Sequence, residues 1–525
     1  MEKDKRADGT VTVREILYYL FFSLLFFAKG IGLYDGQGLF KIFLVLAFAC
    51  FVLKMVTTDY TVRELALLAV LAIVALVSFS HTREKGILFT FAIVAGLKGI
   101  PVKRVFKVAL AVWGVSFLPA VAFTTLGWTD SPFRVHVRPI LGFVIRWGLG
   151  SAHPNVGHIA YLVFVVLTVY VLGEKVSWKW LAGLFAGNLY IYCYTMSQTG
   201  LLMTSFYLAA TAYLMIRKKP SAVEYGLVEC VLPACILASL VLPLVLEGKA
   251  FDILNKLMNT RVMQSKVYLT QERITLFGVL PARNNAINTM DNSYLFAFLT
   301  YGTVTFAVLM AAYFLLIRKY VRQKRNAELA LIVTLLAAGL SEPFLFNTSF
   351  KNVSLLLMGE LLFPFPILPI RESGKGIWGK EIRLWGIGSR RVALPLGAVS
   401  LCRERVKTCA LAYRVRVLAG ALLAAAVWAG IYGLTAHVPA RIVVPRKLCD
   451  SVEQDSVYFA KGEEPEDSLV LGYVDRDTPM VVFTGSLVRV EYVRGILCRA
   501  VYGAGLGFVV VLGGCYVVKY KDSRR

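Results

Sequence analysis

Four arginines, Arg138, Arg146, Arg261 and Arg273, stand in two long polar stretches, 126–155 and 247–293, that interrupt a chain of otherwise apolar runs. Arginine suits a phosphate, because its planar fork donates two parallel hydrogen bonds and stays charged. One pair of unit charges about 4 Å apart near a protein surface contributes about 4 kcal/mol before desolvation is subtracted. Two or three arginines can therefore hold a diphosphate without a metal. The first stretch carries Arg134, His136, Arg138, Arg146 and His153 against Asp130 alone. The second carries Lys249, Lys256, Arg261, Lys266, Arg273 and Arg283 against Glu247, Asp252, Glu272 and Asp291.

Groups able to move a proton lie close by in sequence. His153 ends the string Gly150-Ser151-Ala152-His153, Asp291 opens Asp291-Asn292-Ser293-Tyr294, and Glu342 sits in Ser341-Glu342-Pro343. A carboxylate in an apolar helix is costly unless it has a partner or a task, which singles out Glu342. His153 and Asp291 suit a helix start or cap equally well. The residues leave open which of the three acts as a base. No CxxC or Cys/His ligand spacing occurs and no acidic pair with DxD-like spacing sits at an outer helix mouth, so neither a metal nor another cofactor is expected.

The elements that must position these groups follow from composition. Of 525 residues, 57% are apolar or aromatic and 17% charged, with mean hydropathy +0.65. The apolar residues gather into runs of roughly 16 to 24, near the ~20 that cross a bilayer core. The expected fold class is an all-α polytopic integral membrane protein with about fourteen transmembrane helices. Their expected positions are 13–32, 39–55, 62–79, 87–100, 106–125, 156–172, 178–194, 199–216, 227–246, 294–317, 329–345, 353–370, 417–436 and 500–518. The first run is long and lacks a small-residue cleavage site, and so reads as a retained helix rather than a signal peptide.

A formal charge of +24 raises nucleic acid as a partner. The enrichment of cytoplasmic loops in Lys and Arg explains it better, with membrane lipids as the neighbours and no nucleic acid. Placing the amino terminus in the cytoplasm puts the basic loops 102–107, 217–219 and 318–325 inside. Both termini are then cytoplasmic in a multi-pass protein of the inner membrane, and the two long polar stretches are outer loops. Positive charge where the membrane rule disfavours it points to a bound anion. The chain divides into a core, 1–370, a basic cytoplasmic segment, 371–416, and a two-helix extension, 417–525. That extension includes an acidic, outward, β-rich module at 438–499, in which Met480–Phe483 and Leu487–Val490 alternate as strands do. Cys449 and Cys498 fall on the same side, leaving a disulfide between them open.

Four strings together resemble the Wzy-type polymerases of the O-antigen ligase/polymerase superfamily over roughly 13–370. They are Gly96-Leu97-Lys98-Gly99-Ile100 with Val102-Lys103-Arg104-Val105, then Arg146-Trp147-Gly148-Leu149-Gly150-Ser151-Ala152-His153-Pro154-Asn155, then Ser197-Gln198-Thr199-Gly200, and Asp291-Asn292-Ser293-Tyr294. Gln198 stands where that family places arginine, which lightens the catalytic weight on its turn. The resemblance implies a twelve-helix core that joins undecaprenyl-diphosphate-linked oligosaccharide repeat units at the outer face of the membrane, for capsule or exopolysaccharide. Undecaprenyl diphosphate would leave, with Arg138, Arg146, Arg261 and Arg273 around it. His153, Asp291 and Glu342 are the candidate catalytic groups, and a flippase and a chain-length regulator are candidate partners. A ligase of the same superfamily and a lipid-linked oligosaccharide flippase are the competing classes. Transporters of the latter kind favour two similar halves, and no internal repeat is visible here.

Overall fold

The computed structural model describes residues 10–138, 141–217, 219–281, 290–363, 381–382, 386–393, 397–450, 455–459, 463–472 and 477–521. Arg283, Glu372, the end of the expected twelfth span and parts of 371–416 and 438–499 lie outside the described residues. The first helices are α1 (Val13–Gly30), α2 (Gly38–Val56), α3 (Val62–Thr82), α4 (Gly86–Ala95) and α5 (Val102–Thr125). Next come α6 (Pro154–Leu172), α7 (Trp178–Thr195), α8 (Gln198–Ile216) and α9 (Ala222–Ile236). A π-helical stretch, Leu237–Val241, leads from α9 into α10 (Leu242–Val245). There follow α11 (Gly248–Leu257), α12 (Arg261–Gln271), α13 (Ser293–Thr300), α14 (Gly302–Gln323), α15 (Asn326–Ala338) and α16 (Leu355–Leu362). The last are α17 (Gly397–Ala412), α18 (Arg414–Thr435) and α19 (Ser486–Lys521).

Among the described residues nine helical stretches are long and apolar enough to cross a membrane. The chain is a helix-rich, multi-pass membrane protein. Local sequence sets many helix starts: Thr61 and Glu64 form a capping box on α3, as do Ser221 and Glu224 on α9. Of the apolar window of α6, 67% is buried, against 11% for α18 and for α19. Thus α6 is central and the last two helices lie at the rim. Around α6, Trp113 donates to the Ala160 carbonyl at 2.9 Å, and Tyr18, Phe26, Tyr313 and Tyr320 are fully buried.

Several elements differ from expectation. The fourth span, expected over 87–100, is a ten-residue helix ending at Ala95. The tenth divides at Gly302, whose φ of +83° suits glycine, and a Cβ there would lie 2.4 Å from the Leu276 carbonyl oxygen. The chain packed into that break bonds across it, Val279 N–H to Leu299 and the Thr303 and Val304 N–H groups to Thr275 and Leu276. The last helix starts at Ser486 rather than near Ala500, so Leu487–Val490 is helical and not a strand. Its charged first turns lower the hydropathy there, yet Leu487 and Val488 are buried and Glu491 pairs with Arg494.

Short strands pair as β1 (Thr10–Thr12) with β6 (Arg391–Ala393) and β2 (Tyr60–Thr61) with β5 (Glu381–Ile382). The first polar stretch, read as a loop, contains a β-hairpin of β3 (Phe133–Arg138) and β4 (Gly142–Trp147), in register from Phe133↔Trp147 to Arg138↔Gly142. Strand β8 (Cys449–Asp450) pairs parallel to β3. A second sheet has the order β10-β7-β9, from β10 (Met480–Phe483), β7 (Arg441–Pro445) and β9 (Ser468–Val470). Between the hairpin and this sheet, Phe133, Val135 and Ile145 form a separate core with Ile442, Val444, Val481, Phe483, Leu487 and Val488. Cys498 lies inside α19 with its thiol 3.1 Å from the Thr125 carbonyl, and it is not bridged to Cys449.

Candidate functional site

The hairpin sorts its residues by strand period. Side chains alternate faces along a strand, so Phe133, Val135, Ile145 and Trp147 turn to the apolar core while Arg134, His136, Arg138 and Arg146 share the opposite face. Arg134 and Arg146 are direct cross-strand partners, an arrangement of like charges that is unfavourable by itself. Arg138 donates to the Met196 carbonyl at 2.6 Å, and Arg146 Nε to the Thr195 carbonyl at 3.1 Å. These acceptors lie at the turn between α7 and α8, where Met196 has φ +47° and the Ser197 hydroxyl caps α8. The carbonyls presented to the hairpin thus belong to the two residues just before the Ser197-Gln198-Thr199-Gly200 string, and Gln198 is exposed.

Arg146 Nη2 also donates to the Asn155 side-chain carbonyl at 2.6 Å. Asn155 stands in the first turn of α6, whose N-cap is His153; the His153 Nδ1 accepts from the Asn155 N–H at 3.3 Å. Although one side of the His153 ring is open, the protein around it and then the charges of Arg146, Arg134 and Arg261 push its pKa down to about 4. It is neutral near pH 7 and a weak base.

Close to His153 lies Arg261, buried at the first position of α12. Asn259 (φ +51°) and Thr260 (φ +67°) are left-handed just before it, and a β-branched residue there stores strain of the order of 1–3 kcal/mol. Arg261 Nε donates to the Ser341 carbonyl at 2.8 Å, and its Nη2 lies 3.3 Å from Glu342 and 3.6 Å from Asp291. One guanidinium therefore faces two carboxylates. Burial pushes the Glu342 carboxyl up to about 8, Arg261 opposing the rise and Asp291 adding to it.

Asp291 is not the cap of the helix it precedes. The Asn292 side chain accepts from the Tyr294 and Leu295 N–H groups, which leaves Asp291 to Arg261. Asn292 Nδ2 also donates to Ser239 at 2.9 Å, inside the π-helical stretch, and the Ser293 hydroxyl donates to the Glu342 backbone carbonyl at 2.6 Å. The second polar stretch and the turn after α15 are tied together by these bonds.

Of the residues singled out in the sequence, the structure brings together His153, Asp291, Glu342, Arg146 and Arg261, with Arg138 at the margin. Arg273 is exposed past the end of α12 and joins none of these contacts among the described residues. Set beside known protein families, curated proteins and solved structures, the chain matches none. The arrangement has to be interpreted from its own chemistry. One member escaped the sequence reading: Lys351, 4% exposed, donates to the Val156 carbonyl at 3.1 Å. Burial, aided by the charge of Lys29 and opposed by Glu342, pushes its ammonium down to about 7. A lysine between two short apolar runs was the available signal. The hairpin was likewise legible as period-two alternation in Phe133-Arg134-Val135-His136-Val137-Arg138.

Proposed function

We propose that the chain is a Wzy-type repeat-unit polymerase, a glycosyltransferase that joins undecaprenyl-diphosphate-linked oligosaccharides at the outer face of the cytoplasmic membrane. The observation that carries this reading is the convergence of Arg146 and Arg261 on Glu342, one from the hairpin face and one from α12, linked through Asn155. An anion on that face relieves the Arg134–Arg146 repulsion. The N-terminus of α6 adds further positive potential.

In this reading the oxygen of an acceptor sugar hydroxyl attacks the anomeric carbon of the growing chain. The bond from that carbon to the diphosphate oxygen breaks, and undecaprenyl diphosphate departs with the electron pair. Arg146 and Arg261 stabilise its developing charge, with Arg138 further along the strand. Glu342 accepts the hydroxyl proton, since a pKa near 8 matches neutral conditions better than that of His153 near 4. The topology that accompanies this role has about fourteen spans, both termini in the cytoplasm and the extension reaching the outer face.

Deleting the gene in its host and sizing the lipid-linked glycans by mass spectrometry tests the reading. Single repeat units accessible from outside the cell are the expected result. Units trapped inside would replace it with a flippase, and long lipid-linked polymer would replace it with a ligase.

A further inference from the structure

The extension beyond the core is joined to the arginine hairpin at several points. Strand β8 pairs with β3, Val135 opposite Cys449 and His136 opposite Asp450, and Arg134 donates to the Lys447 carbonyl at 2.9 Å. The hairpin's apolar face has its core partners in β7, β10 and the first turn of α19. Nearest to Arg146, the Trp147 indole donates to Glu491 at 3.2 Å. Glu491 is ion-paired with Arg494 on the next turn of α19. Arg494 Nε in turn donates to the Cys193 carbonyl at 2.6 Å, its guanidinium lies 5.9 Å from the Tyr194 ring centroid, and the Tyr194 hydroxyl donates to the Arg494 carbonyl at 3.3 Å.

Arg146 itself links β4 to the Thr195 carbonyl at the end of α7. The Glu491–Arg494 pair links the neighbouring residue of the same strand, Trp147, to the neighbouring residues of the same helix, Cys193 and Tyr194. We propose that Glu491 and Arg494 are positioning residues, a clamp from the last helix that sets the spacing between β4 and α7 and so the place of the Arg146 guanidinium. Arg494 is 4% exposed, so the clamp works away from water, where a charged pair is electrostatically stronger. Two further contacts press α19 onto the same corner. The Tyr502 and Thr125 hydroxyls are 2.6 Å apart, and the Cys498 thiol lies on the Thr125 carbonyl.

The functional side of this inference rests on the reading of Arg146 as a diphosphate holder; the positional side does not. The test uses the full chain in detergent, as wild type, E491A, E491Q, R146A and the double variant R146A/E491A. Two quantities are measured: amide hydrogen exchange over 142–147 and 193–197, and binding of inorganic diphosphate by calorimetry. E491A is expected to speed exchange in both segments and to weaken diphosphate binding about tenfold, as loss of a supporting partner behind a ligand group does. E491Q, whose amide carbonyl still accepts from Trp147, is expected to show the same changes at smaller size, and it carries the test if E491A does not fold. In the R146A background E491A should weaken binding no further, because a positioning residue acts through the group it positions. Unchanged exchange in both Glu491 variants overturns the clamp, and so does an additive loss in the double variant. Faster exchange in E491A combined with normal diphosphate binding by R146A upholds the clamp and removes the diphosphate reading.

Discussion

Helices α1, α6, α15 and α16 run between two ends of the bundle that use charge in different ways. At one end several buried or half-buried bases meet carboxylates. Arg325 lies between Glu328 and Glu360, Arg104 is 3.1 Å from Glu15, and Lys98 pairs with Glu64. Tyr170, near the end of α6, donates to Glu328 at 3.2 Å and closes that cluster. At the other end Arg138, Arg146 and Lys351 spend hydrogen bonds on carbonyls and an amide, and neither hairpin strand contains an acid. Arg261 holds two carboxylates there, one of them with a strongly raised pKa. At the first end these paired charges are consumed by the fold. At the second, positive groups are arrayed on one face and a proton acceptor is tuned beside them, which is what a site for an anion and a proton transfer requires.

Substitutions can break this contrast. The largest effect is expected from R146A and R261A: both should abolish chain extension, with a rate loss of about a hundredfold or more, while protein is still made. Glycan length read on gels from complemented cells checks it, and normal polymer in either variant contradicts the assignment. E342Q should follow, lowering the rate about a hundredfold and removing a rise in wild-type activity as pH passes through about 8. Stability gives the same residue a second signature. Its folded pKa lies above the ordinary 4.5, so its favourable contribution is complete below 4.5 and is lost as pH rises through about 8. Thermal unfolding of E342Q should lack that decline, and a decline identical to wild type would show that another group causes it. The smallest effect on chemistry belongs to R325A at the opposite end. It should cost about 2 kcal/mol of stability, seen as a lower melting temperature, with activity per folded molecule unchanged. A loss of activity larger than the loss of folded protein would erase the distinction between the two ends.

Long apolar segments were the most legible part of the sequence, because burial in lipid demands about 20 such residues whatever their neighbours. The starts near Val62 and Trp178 follow from that demand. Where packing overrides hydropathy the reading failed. Gly302 breaks a continuous apolar run because the chain at 275–279 fills the gap, and nothing in 294–317 announces that partner. The charges Arg489, Glu491 and Arg494 hid the first turns of α19, since their compensation comes from each other and from Trp147 and Cys193, far away in sequence. At the candidate site, residue type pointed to Arg146, Arg261 and Glu342, which the structure brings near one another. Asp291 and Asn292 could not be told apart as cap and ligand, because both side chains can accept from a helix start.

The link between Trp147 and Glu491 spans 344 residues. During synthesis the hairpin emerges well before the strands and the helix that cover its apolar face. Until they arrive, the basic face lacks the apolar backing of β7, β10 and α19, and a chain cut short before α19 would keep most of its helices without that backing. The backing of the arginine face is thus always made after the face itself.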